Sequence, residues 1–386
     1  MRRLPTLLLL LAVGACAPSE SEPTPEAILA DAAAYLWSQQ AEDGGWHSTT
    51  HGLLRGGQAW TPFVLHSLLQ VPDSIVAQPQ GGVDRALTFL RAHINADGVL
   101  GLADSAVLEY PNYATAYALR IFAEHGAPED SALVRRMVAY LRGQQFTEQR
   151  GITPDRLAYG AWGFGETTLA QGEAGHLDLS HTRRAVQALR AAEALDDEAA
   201  VAVTRYLRLV QKHPAESRAQ PPSATLPDSA QYDGGFYASP TVQGVNKGWL
   251  TEAGVYRSYA TATADGILAL LAAGHAPDSE PIQAALAWLR AHPDWATPAG
   301  IPTDGPIAWD RVMHFYHLAA RAEAYDALGE PGWHDEVLRV LAAQQHTDGH
   351  FANPEGAPNK EDDPLLATAM MVDALVRLLS AHLGGS

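Results

Sequence analysis

Three histidines and two aspartates in this chain have the chemistry for acid–base work: His181, His314, His317, Asp310 and Asp363. Imidazole titrates near neutrality, so a histidine at the edge of a pocket can give or take a proton in the physiological range. A carboxylate serves as a base, or as an acid where its surroundings raise its pKa. Trp60, Tyr113, Tyr256, Tyr259 and Trp309 add the flat, largely apolar surfaces that line small-molecule sites. Each residue also has a plainer reading. Asp310 and Asp363 stand where helix N-caps are expected, and Tyr113 and Tyr259 could simply pack a wall. His181 is the most suggestive, because Ala114, Ala262 and Ala367 hold the matching place in three other copies of an internal repeat.

Metal chemistry is weakly signalled. His47 and His51 are four apart and His314 and His317 three apart, but a catalytic zinc takes about three protein ligands. Neither a metal nor a cofactor is expected. The acidic clusters are "DDE" at 196–198 and "EDDP" at 361–364. In the second, neighbouring carboxylates could share a proton, since their repulsion raises a pKa, or could cap a helix in a solvated loop.

The elements that must position these residues follow from the repeat. "YLWSQQ" at Tyr35, "FLRAH" at Phe89, "YLRGQQ" at Tyr140, "YLRLVQ" at Tyr206, "WLRAH" at Trp288 and "VLAAQQ" at Val340 align on a large residue followed by Leu. Each closes a segment with apolar spacing of three and four, followed by a turn, as a helix ends. A second, more apolar and alanine-rich segment comes next, from Trp60, Tyr113, Ser180, Tyr259, Asp310 and Asp363 in turn. The twelve helices predicted form six hairpins. A helix apolar nearly all round must be buried, whereas its partner carries charge on one face. That alternation predicts an all-α (α/α)6 toroid with an inner and an outer ring of helices. An open solenoid would need polar capping repeats, and the sixth pair is no more polar than the rest.

Links within a hairpin are long: Thr147 to Leu179, His213 to Arg257, Pro293 to Trp309 and Thr347 to Asp362. Links between hairpins are short. Alternating helix direction gathers the long links, and the N-termini of all six inner helices, at one end of the ring. The site is expected there, with the partial positive helix ends favouring an anionic or strongly polar group. "PAESRAQPPSATLPD", 214–228, reads as flexible.

Gln39 to Trp46, read as Q-x4-G-x-W, resembles the QW repeat of the squalene-hopene and oxidosqualene cyclases. Their (α/α)6 toroid is shared with protein prenyltransferase β subunits. Degenerate copies are Gln344 with Gly349 and Phe351, Gln231 with Gly234 and Phe236, and His93 with Gly98. The stretches 256–274 and 314–375 are similar to segments of bacterial prenyltransferase or squalene oxidase repeat proteins. The resemblance runs from about Ala27 to Leu383. It implies a cavity for a hydrophobic, isoprenoid-like molecule. Class II cyclisation in that family uses a DxDD motif, which this sequence lacks, and the family's zinc-dependent prenyltransferases use a Cys ligand. Whether the chain is an enzyme stays open.

The only cysteine, Cys16, follows Arg2, Arg3 and an apolar run from Leu7 to Val13, too short to span a bilayer. "VGAC" resembles a bacterial lipobox, which implies a signal peptide over 1–15 and a lipidated Cys16 with a tether over 16–26. One domain, 27–383, follows. The protein is then expected in the bacterial cell envelope, held at the membrane by the lipid on Cys16, on the periplasmic or outer-membrane face. The formal charge of -18 argues against nucleic acid as a partner. A hydrophobic small molecule or a protein partner is expected, and a monomer. Alternatives are a non-catalytic scaffold using the aromatic loops, or a polysaccharide-degrading toroid. The last would draw on Arg257 beside Tyr256 and Arg311 near His314.

Overall fold

The structure is a computed structural model that describes residues 23–104, 106–223 and 231–383. Cys16, the apolar run before it and most of the tether lie outside the described residues. The outer helices are α1 (Pro25–Ser38), α3 (Gly82–His93), α5 (Ser131–Gln144), α7 (Asp197–Val210), α9 (Glu280–Ala291) and α12 (His334–Gln344). They alternate with inner helices α2 (Trp60–Leu69), α4 (Pro111–His125), α6 (Leu179–Ala191), α8 (Ala260–Ala272), α11 (His314–Leu328) and α13 (Pro364–Leu383). Each inner helix packs against its two inner neighbours, and α13 packs against both α11 and α2. The ring is therefore closed, as the pattern predicted.

Burial follows the same logic. In α5 only Leu133, Met137 and Leu141 are buried, one residue per turn facing the inner ring. In α8 every residue from Ala260 to Leu270 is buried, because neighbours surround it. Thirteen helices are present among the described residues where twelve were expected. The extra one, α10 (Trp309–Val312), is the detached first turn of α11. The Glu361 carboxylate accepts the Phe315 and Tyr316 N–H groups, both at 2.9 Å, and so caps a fresh helix start. Asn353 meanwhile donates to the Arg311 carbonyl at 2.8 Å.

The repeated phrase is a latch between hairpins. Gln40 Nε2 donates to the carbonyls of Gly44 and Gly82, at the start of α3. Gln145 does so to Gly160 and Ala199, Gln211 to Gly234 and Pro281, and Gln345 to Gly349 and Ile28. The last bond joins the sixth hairpin to the first. Sequence alignment placed the role one residue early, on Gln39 and Gln344, and on Gln231 in the fourth copy. Gln39 donates only to Ser38, and Gln344 accepts from His314. The glycine presses on the next outer helix: at Gly160, with φ +88°, an added Cβ would lie 1.9 Å from the Ala202 carbonyl oxygen. Trp46 and Trp162 then donate their indole N–H to Leu36 and Leu141 carbonyls, both at 2.7 Å. Their backbone N–H groups donate to Thr61 and Thr182 in the first turns of inner helices. In the fifth copy Arg321, on α11, donates to the Leu289 carbonyl, the place taken by the indole in the first and third, and to the Asp294 carbonyl, with its guanidinium over the Trp295 ring.

Of the segment 214–228, expected to be flexible, residues 214–223 are pinned and 224–228 lie outside the described residues. Arg218 and Glu216 form a buried pair at 2.7 Å, and Gln220 donates to the Leu209 carbonyl.

Candidate functional site

A cavity of about 600 Å³ lies at the loop-bearing end of the ring. Its wall combines first-turn residues of the inner helices with residues of the long links, among them Leu108, Phe164, Lys247 and Lys360. That volume falls within the roughly 300–1,000 Å³ of ordinary small-molecule sites. The apolar lining is Trp60, Tyr113, Tyr259, Trp309, Leu366 and Met370.

Of the residues singled out in the sequence, Trp60, Tyr113, His181, Tyr259 and Trp309 line this cavity. Five do not. Tyr256 is buried against Tyr237, with ring centroids 5.3 Å apart. Asp310 is buried, and its Oδ1 has no partner among the described residues. His314 is held by the Ala296 carbonyl and Gln344, both at 2.9 Å. His317 is fully buried near Trp295 and Arg321; burial, then the Arg321 charge, lowers its pKa to about 3, which keeps it neutral. Asp363 accepts from Ser48, from Trp60 Nε1 at 3.0 Å and from the Leu365 N–H at 3.0 Å. It is the helix cap that its position allowed, and it fixes the Trp60 ring. The inner-helix face turns by about 100° per residue, so a position near a helix start does not fix which way a side chain points.

His181 is positioned by the start of α6. Asp178 is the N-cap, and one oxygen, Oδ1, accepts both the His181 N–H and His181 Nδ1 at 2.9 Å. Burial opposes charge on the imidazole, but the carboxylate outweighs it and raises the His181 pKa above its ordinary value. The ring sits among Tyr110, Tyr113 and Phe164, at centroid distances of 5.6 to 6.3 Å. Its other nitrogen, Nε2, is buried with no hydrogen-bond partner among the described residues.

Three more groups escaped the sequence reading. Lys247 lies over the Trp309 ring, 3.4 Å from its centroid, and donates to the Gly244 carbonyl at 2.7 Å. Burial lowers its pKa to about 8. Lys360 lies over Tyr110 at 5.2 Å. The chain has three lysines, and two of them line this cavity, a bias visible in the composition once the ring is assembled. Asp265, an acid within the small-residue stretch of α8, reaches the deeper wall with Tyr316. Its carboxylate accepts from Arg183 at 2.5 Å and from Tyr316 at 2.9 Å. Burial raises its pKa while these donors favour the ionised form. Arg183, fully buried, also binds Glu323, which takes a further bond from Gln187 at 2.8 Å.

The expected field of positive helix ends is largely cancelled by the protein itself. Glu109 accepts from the Gln58 and Ala59 N–H groups leading into α2, Asp178 caps α6, Glu361 caps α11 and Asp363 caps α13. Cations at this end therefore come from side chains. Among the described residues no group of acids, histidines and cysteines is placed to hold a metal ion.

No protein-family model matches the sequence, and no curated protein matches it. Solved structures do. The type II terpene cyclase MstE from Scytonema, in complex with geranylgeranyl dihydroxybenzoate, superposes with a TM-score of 0.52 at 18% identity. The match covers 92% of this chain and 97% of that one. Unliganded MstE gives 0.53 at 16% identity, over 92% and 99%. A crystal structure of a protein from Actinoplanes gives 0.52 at 18% identity, over 93% and 100%. At these identities the likeness concerns the fold, and the fold of this chain is that of the terpenoid-cyclase-like α/α toroids.

Proposed function

We propose that this protein binds a hydrophobic, isoprenoid-like small molecule in the cavity of its ring, as a lipid-anchored protein of the bacterial cell envelope. The observation that carries the reading is the aromatic-lined cavity of about 600 Å³. The similar toroid of MstE was solved with a geranylgeranyl compound and with merosterolic acid A as product, which supports an isoprenoid-sized occupant. Anchoring rests on Cys16 and the residues before it.

Binding is better supported than proton-initiated cyclisation. Such a reaction needs a protonated carboxyl facing the ligand, and Asp265, deep in the cavity, already accepts hydrogen bonds from a guanidinium and a phenol. The polysaccharide alternative is weakened by placement. Arg257 donates to the Leu250 carbonyl and Arg311 pairs with Glu355, and neither lines the cavity.

The test is native mass spectrometry of the domain without residues 1–16 after exposure to a total lipid extract of the source organism. A retained isoprenoid-sized mass that is lost on Trp60→Ala or Trp309→Ala is the expected result. A chain that stays empty across the extract would overturn the reading.

A further inference from the structure

Two cationic side chains meet at the loop end, in a cavity that Glu166, Asp178 and Asp265 also line. The chain as a whole is strongly acidic and nearly without lysine, yet Lys247 and Lys360 both line the one cavity. Each lies over an aromatic ring, Trp309 and Tyr110, and among the described residues neither has a carboxylate partner within salt-bridge distance. A cation over a ring is held in place while its N–H donors stay free for another acceptor. The third feature is His181, 7% exposed, whose Nδ1 is spent on Asp178 and whose Nε2 has no partner among the described residues. A buried polar nitrogen left unsatisfied is unfavourable unless something binds it.

We propose that the cavity takes an amphipathic anion: a compact carboxylate or phosphate head received by Lys247, Lys360 and His181, on an apolar tail packed against Trp60, Leu366 and Met370. This deepens the cavity reading and rests on it. Besides these three, the charged groups lining the cavity are Asp178 behind His181, Asp265 on the deeper wall, where Arg183 neutralises it, and Glu166, which accepts the His176 N–H at 2.6 Å through one oxygen. The second Glu166 oxygen is buried and unpartnered. Glu166 therefore opposes an anion. Its removal should act in the opposite direction to removal of a lysine.

The experiment compares ligands that share one tail: geranylgeraniol, geranylgeranoic acid and geranylgeranyl monophosphate, titrated against the domain by tryptophan fluorescence, with inorganic phosphate alone as a further arm. The expected result is at least tenfold tighter binding of the acid or the phosphate than of the alcohol. Lys247→Met and Lys360→Met each reduce that preference several-fold, and Glu166→Gln enhances it. Lys247→Arg retains the preference and guards against a loop disturbed by losing the bond to Gly244. Equal binding of alcohol and anions, insensitive to these variants, overturns the head-group assignment and leaves the cavity reading standing. Inorganic phosphate bound as tightly as the prenyl phosphate overturns the amphipathic part. If no tailed ligand binds, the cavity reading falls and this inference with it.

Discussion

Glu361→Gln examines a buried carboxyl at the break between α10 and α11. Glu361 has 0% exposure, and its oxygens accept from Phe315 and Tyr316 N–H at 2.9 Å, Asn359 at 3.1 Å and Asn353 at 3.2 Å. Burial outweighs these donors and pushes its pKa from 4.5 up to about 7. A carboxyl that holds its proton more tightly when folded stabilises the fold fully below the unfolded value. That contribution is lost as pH rises through about 7. At 1.36 kcal/mol per pKa unit, going from about pH 5 to about pH 9 costs roughly 2–3 kcal/mol at this one residue. Glutamine has the same shape and cannot ionise. In urea unfolding at the two pH values, the natural chain should lose about 2–3 kcal/mol more than the variant on going to high pH. Identical pH dependence in the two proteins would refute the reasoning, by showing that the four donors keep Glu361 ionised throughout.

Gly160→Ala should cost about 3 kcal/mol or more, because the new Cβ meets the Ala202 carbonyl oxygen and φ is +88°; thermal unfolding measures it. Arg183→Met leaves Asp265 and Glu323 without their shared buried cation, and a loss of about 3–5 kcal/mol is expected in the same assay. Asp178→Asn removes the carboxylate that raises the His181 pKa, so the imidazole should titrate at lower pH in an NMR titration. Asp363→Ala should lower stability by about 1–3 kcal/mol, because Trp60 and Ser48 lose their acceptor.

The ring was legible because its signal is redundant. Six copies of one apolar pattern specify six hairpins, and the contrast between α5, buried on one stripe, and α8, buried all round, separates the two layers. The choice between Gln39 and Gln40 was not legible, because adjacent residues at a helix end differ only by a rotation that spacing does not record. The break at Met313 was equally hidden, since it is made by the side chains of Asn353 and Glu361, 40 and 48 residues further along. Half the sequence-selected site residues line the cavity because aromatic residues at inner-helix starts have few other places to go. Lys247, Lys360 and Asp265 passed unnoticed because a lone charge has no period. Their meaning appears only when loops distant in sequence converge.

Closure of the ring also bears on how the chain is made. The apolar face of α1, with Ile28, Leu29, Ala32, Ala33 and Leu36, is buried against α13, and Gln345 latches onto Ile28 from more than 300 residues away. α1, the first helix among the described residues, is thus covered only once α13 near the other end of the chain is in place. Contacts of such long sequence separation fold slowly and leave apolar surface open to aggregation. A ribosome-bound or truncated chain lacking α13 would carry that uncovered face at its N-terminal end, which makes it a natural landing site for a holding chaperone.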